Sequence, residues 1–151
     1  MQNFKLNETE ILSNQDWTFP TNTAYGPGRF KEIGDQCNKF GIRNPLIVTD
    51  NGSTKLPFIN ELKELLLKAN IKSDLFSEIS PNPREDEISV GCKKYKDGNH
   101  DSIIAIGGGS AMDGGKSICL TANNEIELFD FEWEKTPQEI GPDNKFPPLI
   151  T

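Results

Sequence analysis

Short strand-like runs alternate with stretches of helical spacing along this chain, and that order leaves few folds open. "PLIVTD" (45–50), "SDLFSEI" (73–79) and "SIIAI" (102–106) have the length of strands, and the first and last are apolar enough to be buried on both faces. Each is followed by a loop and a helix. In "LPFINELKELLLKAN", Leu56, Ile59, Leu62, Leu65, Leu66 and Ala69 share one face, Pro57 suits the first turn and Asn70 the end. The two prolines of "SPNPRED" force a turn whose acids suit a helix start, and that helix runs through Ile88, Cys92 and Tyr95 to Gly98. A further helix is expected over 111–122. Upstream, Phe30, Ile33, Cys37 and Phe40 follow helical 3, 4, 3 spacing, with Gly41 as the stop. The aromatic and threonine-rich "WTFPTNTAYGPGRF" predicts a strand or hairpin over 17–25, closed by Gly26, Pro27 and Gly28. Repeated strand, loop and helix predict a Rossmann-like parallel α/β sheet with helices on both faces, and 151 residues suffice for one such domain.

Ligands of such sheets bind at the carboxyl ends of the strands. Asp50, Asn82 and the turn 107–110 all fall there. The turn belongs to "IGGGSAMDGGKS" (106–117), which misses two familiar phosphate loops by one residue each. Read as G-x-x-x-x-G-K-[ST], it has Ser110 where the first glycine belongs; read as G-x-G-x-x-G, it has Met112 where the third belongs. What remains is a strand running through glycines into a helix N-terminus, where backbone N–H groups and the helix dipole favour an anion such as a phosphate or pyrophosphate. A plain glycine-rich connector is the alternative.

Sixteen basic and 23 acidic residues give a net charge of −7 and no basic stripe, against nucleic acid or an anionic membrane as partner. No apolar run approaches a bilayer span and "MQNFKLNETE" is no signal peptide, so a cytoplasmic protein is expected. Cys37, Cys92 and Cys119 are widely spaced and predicted to pack as small apolar residues. His100, in the polar "KDGNHDS", is expected to be a solvated loop residue. The stretch after Asn123 is acidic, aromatic and proline-punctuated. It reads as a surface excursion in which Phe129, Phe131 and Trp133 form a short edge strand, before "PPLIT" begins a fifth strand at which the sequence stops.

Gly107, Gly108, Gly109, Ser110, Asp113 and Lys116 spell G-G-G-S-x-x-D-x-x-K, and "YGPGRFKEIG", "LIVTDNG" and "SPNP" precede it in order. In this the chain resembles the iron-containing (group III) alcohol dehydrogenases, from about residue 18 to 151. The resemblance implies the N-terminal nucleotide-binding domain of a dehydroquinate synthase-like fold, within an enzyme that moves hydride between an alcohol and NAD. Gly107, Gly108, Gly109 and Ser110 would cradle the pyrophosphate, Ser110 also through its hydroxyl. Asp50 would accept the adenosine ribose hydroxyls, favouring NAD over NADP. Asn82 would lie near the cofactor, and Asp113 and Lys116 would either orient the cofactor loop or pair with each other.

Family members continue past "PPLIT" into a helical domain whose Asp and three His residues bind iron or zinc. That set is absent from these 151 residues, so 1–151 is expected to be a truncated dinucleotide-binding domain. By that reading it holds no catalytic or metal residue, binds NAD weakly and turns nothing over alone. The parent would take a small alcohol or aldehyde, and a homo-oligomer is compatible with this. Glycerol dehydrogenase or dehydroquinate synthase relatives, a non-catalytic nucleotide-binding remnant and, least, a P-loop NTPase are the other readings.

Overall fold

The computed structural model describes residues 15–18 (backbone only), 21–124, 126–132 and 146–151. A two-stranded antiparallel hairpin, β1 (Gln15–Thr18) and β2 (Asn22–Tyr25), comes first, pairing Gln15 with Tyr25 and Thr18 with Asn22. This is the hairpin expected from the N-terminal aromatics and threonines.

The rest winds around one sheet. Its strands are β3 (Pro45–Asp50), β4 (Asp74–Ile79), β5 (Ser102–Ala105) and β6 (Leu149–Ile150), in the order β4-β3-β5-β6, and each neighbouring pair is parallel. The helices are α1 (Ile33–Lys39), α2 (Pro57–Lys68), α3 (Glu85–Asp97) and α4 (Gly109–Thr121). Parallel strands need crossover connections, and the helices supply them on both sides.

The side-chain period of two sorts the central strands between two cores. Leu46, Val48 and Ile103 face one way, to pack with Ile88 and Tyr95 of α3 and Ile118 of α4. Ile47 and Ile104 face the other way, against Ile33 and Cys37 of α1 and Leu62 and Leu66 of α2. The apolar stripe of α2 is therefore as predicted from Ile59 to Ala69, whereas Leu56, expected on it, precedes the helix and is exposed. Phe40, predicted on the apolar face of α1, is instead half exposed beside the Lys39 ammonium, because the helix has already ended at Lys39 and Gly41 turns the chain with φ +72°.

The glycines of α4 let it approach the sheet closely. A Cβ on Gly115 would stand 2.4 Å from the Ala105 Cβ, and one on Gly114 would stand 2.8 Å from Ile79. Gly115 thus supplies the tight helix-on-strand packing that the usual dinucleotide fingerprint assigns three residues earlier. It also places "GKS" (115–117) inside the helix rather than in a loop, which removes the P-loop reading.

Two local expectations are corrected. The expected edge strand at Phe129 and Phe131 is a single 3-10 turn, Leu128–Phe131, whose Leu128 packs onto the α3/α4 core; Trp133 lies outside the described residues. His100 is buried, not solvated. Its Nδ1 donates to the Asn44 carbonyl at 3.0 Å, its Nε2 lies 3.7 Å from an Asp74 carboxylate oxygen without a hydrogen-bond partner, and Gly98 leaves room for the ring. The cysteines behave as predicted. Cys37 and Cys119 are buried, and burial pushes each thiol up to about 11.

Candidate functional site

The sheet order fixes where a ligand can enter. After β3 the chain leaves through α2 on one face, and after β5 it leaves through α4 on the other. The crevice between the carboxyl ends of β3 and β5 is therefore a topological switch point, where open α/β sheets take ligands. Asp50 ends β3, and the glycine turn follows β5.

The turn is shaped by one strained glycine and two open ones. Gly107 has φ +143°, and a Cβ there would lie 2.8 Å from the Ala111 Cβ and 3.0 Å from Asp50 Oδ2. No side chain fits, so the backbone can cross beside Asp50 only as glycine. Around Gly108 and Gly109 a Cβ would meet nothing within 4 Å. These two present bare backbone to open space. Gly108 is the N-cap of α4 and no side chain caps this end, so the first-turn N–H groups of Gly109, Ser110 and Ala111 keep their donors for a guest. An open cleft of about 410 Å³ adjoins the turn, walled by Phe30, Leu56, Phe58 and Ile106, with Ser53, Gly107 and Gly108 completing it. Uncapped N–H groups and the helix dipole at this end suit an anionic group such as a phosphate.

Asp50 is held in place before any ligand arrives. Its Oδ1 accepts the Ser53 amide at 2.9 Å and its Oδ2 the Ser53 hydroxyl at 2.7 Å. The Ser53 hydroxyl, followed by amide donors, holds the carboxyl below its ordinary 3.8, so it is an anion at neutral pH. Each oxygen retains a lone pair for a sugar hydroxyl. Neighbouring Thr49 donates to the Ile106 carbonyl at 2.7 Å, tying the end of β3 to the residue that enters the turn.

Of the other residues singled out in the sequence, Asn82 is exposed on the loop between β4 and α3, and Asp113 and Lys116 form a 3.5 Å ion pair with both side chains more than half exposed. Ser110 behaves differently from expectation. Its hydroxyl donates to the Pro81 carbonyl at 2.5 Å and so closes the Asn82 loop onto the helix start. Sequence reading also missed Glu87, whose Oε2 accepts the Ser80 amide at 3.2 Å and the Arg84 amide at 3.2 Å. An acid at the third position of a helix after a polar turn was the available signal. Among the described residues, no group of three or more His, Cys, Asp or Glu could hold a metal. No described helix is long and apolar enough to cross a membrane.

Fold and site together define a doubly wound α/β protein with an anion-receptive turn at its switch point. The chain belongs to the iron-containing alcohol dehydrogenase family, whose model matches residues 20–151. It is 38% identical over 126 residues to NADH-dependent butanol dehydrogenase A of Clostridium acetobutylicum, covering 83% of this chain and 32% of that one. It is 33% identical over 132 residues to choline dehydrogenase of Bacillus subtilis, covering 87% and 32% respectively. The crystal structure of NADH-dependent butanol dehydrogenase A from Thermotoga maritima superposes with a TM-score of 0.74 at 25% identity, over 91% of this chain and 34% of that one. The chain thus spans about a third of the length of these relatives.

Proposed function

We propose that these 151 residues are the dinucleotide-binding portion of an NAD-dependent alcohol dehydrogenase acting in the cytoplasm on a small alcohol or aldehyde. The observation that carries the reading is the uncapped, side-chain-free turn at Gly108 and Gly109 beside the fixed Asp50 carboxylate. Backbone N–H groups of Gly108, Gly109 and Ser110 hold the pyrophosphate, and Gly107 lets the strand turn into it. Asp50 accepts the adenosine ribose hydroxyls and repels a 2′-phosphate, which favours NAD over NADP. Asn82 borders the same crevice. Asp113 and Lys116 act as a surface ion pair rather than as cofactor ligands, a reading their 3.5 Å contact supports. Bound here, NAD supplies the acceptor or donor of the hydride exchanged with the substrate carbon. The described residues do not fit the iron of the family's name, and its ligands are expected in a helical domain outside residues 1–151.

Calorimetric titration of the chain with NAD+ and NADP+ tests this. NAD+ is expected to bind weakly and NADP+ at least about tenfold more weakly, the ratio that a clash of like charges at close range gives. Equal affinity for the two, or none for NAD+, would sink the assignment of Asp50 and the cradle. Alcohol-dependent NADH formation by these 151 residues alone is expected to be absent.

A further inference from the structure

The hydroxyl of Ser110 has one proton to give, and the structure shows where it goes: to the Pro81 carbonyl, 29 residues away in sequence. A hydroxyl so used cannot also donate to a phosphate. The loop it holds is fixed at its other end too. Ser80 donates from its hydroxyl to the Asn82 carbonyl at 2.8 Å within the loop, while Glu87 of α3 gathers the Ser80 and Arg84 amides and Ser110 of α4 holds Pro81. Arg84 adds an ion pair to Glu87 at 3.4 Å. These donors, the Ser80 amide foremost, keep the Glu87 carboxyl below its ordinary range, so it remains an anionic acceptor at neutral pH.

We propose that Ser110 and Glu87 are positioning residues that clamp the loop 80–84, and with it Asn82, against the N-terminus of α4, the Ser110 hydroxyl serving the loop and only its amide serving the cofactor. The inference rests on reading 107–110 as the phosphate site. It separates two roles for one residue: Ser110 would act on the nucleotide at a distance, through where Asn82 stands. Only the backbone of the cradle would then touch phosphate. Threonine at position 110 preserves the clamp, and alanine releases it.

Two readouts on the full chain test the clamp. Without nucleotide, hydrogen exchange at the Ser80 and Arg84 amides should rise about tenfold in Ser110→Ala and in Glu87→Gln, with Ser110→Thr near wild type and the β5 amides unchanged. With NAD+, Ser110→Ala and Asn82→Ala should each weaken binding about fivefold, the loss of one neutral hydrogen bond, and the double variant should lose no more than the weaker-binding single one. Additive losses would overturn the proposal by making the Ser110 hydroxyl an independent phosphate ligand. Unchanged exchange in Ser110→Ala would overturn it as well. Absence of NAD+ binding by the wild type would remove the cofactor reading, while the exchange measurement would still decide whether the clamp exists.

Discussion

Both ends of the sheet carry hydrogen-bonded polar networks, and they differ in what their polar groups do. At the amino end, Asp101 accepts the Arg43 amide at 2.7 Å, the Asn44 amide at 3.0 Å and the Ser102 hydroxyl at 2.7 Å. Asn44 donates to the Gly98 and Asn99 carbonyls at 3.0 Å each and accepts from His100. That network uses its donors within itself and, among the described residues, leaves only the buried His100 Nε2 without a hydrogen-bond partner. At the carboxyl end Asp50, Ser53, Ser80 and Glu87 fix the loops just as firmly, yet the α4 N-terminus and the two open glycines are left facing the crevice. Both ends carry hydrogen-bonded networks, and backbone donors left over distinguish the end at which we place the proposed ligand.

That contrast can be broken experimentally, beginning with the turn. Gly107→Ala forces a Cβ into Ala111 and Asp50 from a left-handed backbone, and should destabilise the chain by about 2–3 kcal/mol in urea unfolding. Gly108→Ala has open space and an ordinary extended backbone, so stability should stay within about 0.5 kcal/mol while NAD+ binding falls. If both variants unfold alike, the distinction between shaping and presenting glycines is lost. At the other end, Asp101→Ala leaves two amides and a hydroxyl without their acceptor and should cost about 1–2 kcal/mol with NAD+ affinity unchanged. A loss of NAD+ affinity there would mean that the amino-end network is not purely structural.

A smaller effect should appear with pH. The folded carboxyl of Asp50 titrates below its unfolded counterpart, so its hydrogen bonds stabilise the fold fully above about pH 4. The contribution is lost as pH falls through the lowered folded value. Urea midpoints of wild type and Asp50→Asn should therefore converge in acid; a constant gap would assign the difference to packing. The smallest change is expected for Lys116→Ala, under about 0.5 kcal/mol and without effect on NAD+, because the ion pair is exposed. A large fall in NAD+ affinity would restore Lys116 as a residue that orients the cofactor loop.

The elements of this fold were legible because their signals are local. The stripe Ile59, Leu62, Leu66 and the buried run of β3 carry their periodicity in neighbouring residues. The placement of Asp50 at a strand end and of the glycines at a helix start was legible as well, since both can be read off one stretch of chain. What stayed hidden depends on partners distant in sequence. His100 looked solvated among polar neighbours, and only the fold brings the Asn44 carbonyl, 56 residues away, to its ring. The Ser110 clamp spans 29 residues, so its hydroxyl was assigned to the nearest chemistry in the sequence. Gly114 and Gly115 did give a signal. Paired glycines inside a helix cost about 1 kcal/mol each relative to alanine, and that cost is tolerated where a strand must come close.

The bareness of Gly108 and Gly109 has a consequence for how recognition responds to acidity. Peptide amides carry no proton that leaves or arrives across the range in which proteins stay folded, so a cradle made of them grips with constant strength. The Asp50 carboxylate, proposed to face the ribose, has no such immunity. With Asp50 choosing the cofactor as proposed, only acid strong enough to protonate a carboxyl held below its ordinary range should erode the choice between NAD and NADP, and it should do so before it erodes the hold on pyrophosphate, leaving grip and discrimination on separate parts of the same crevice.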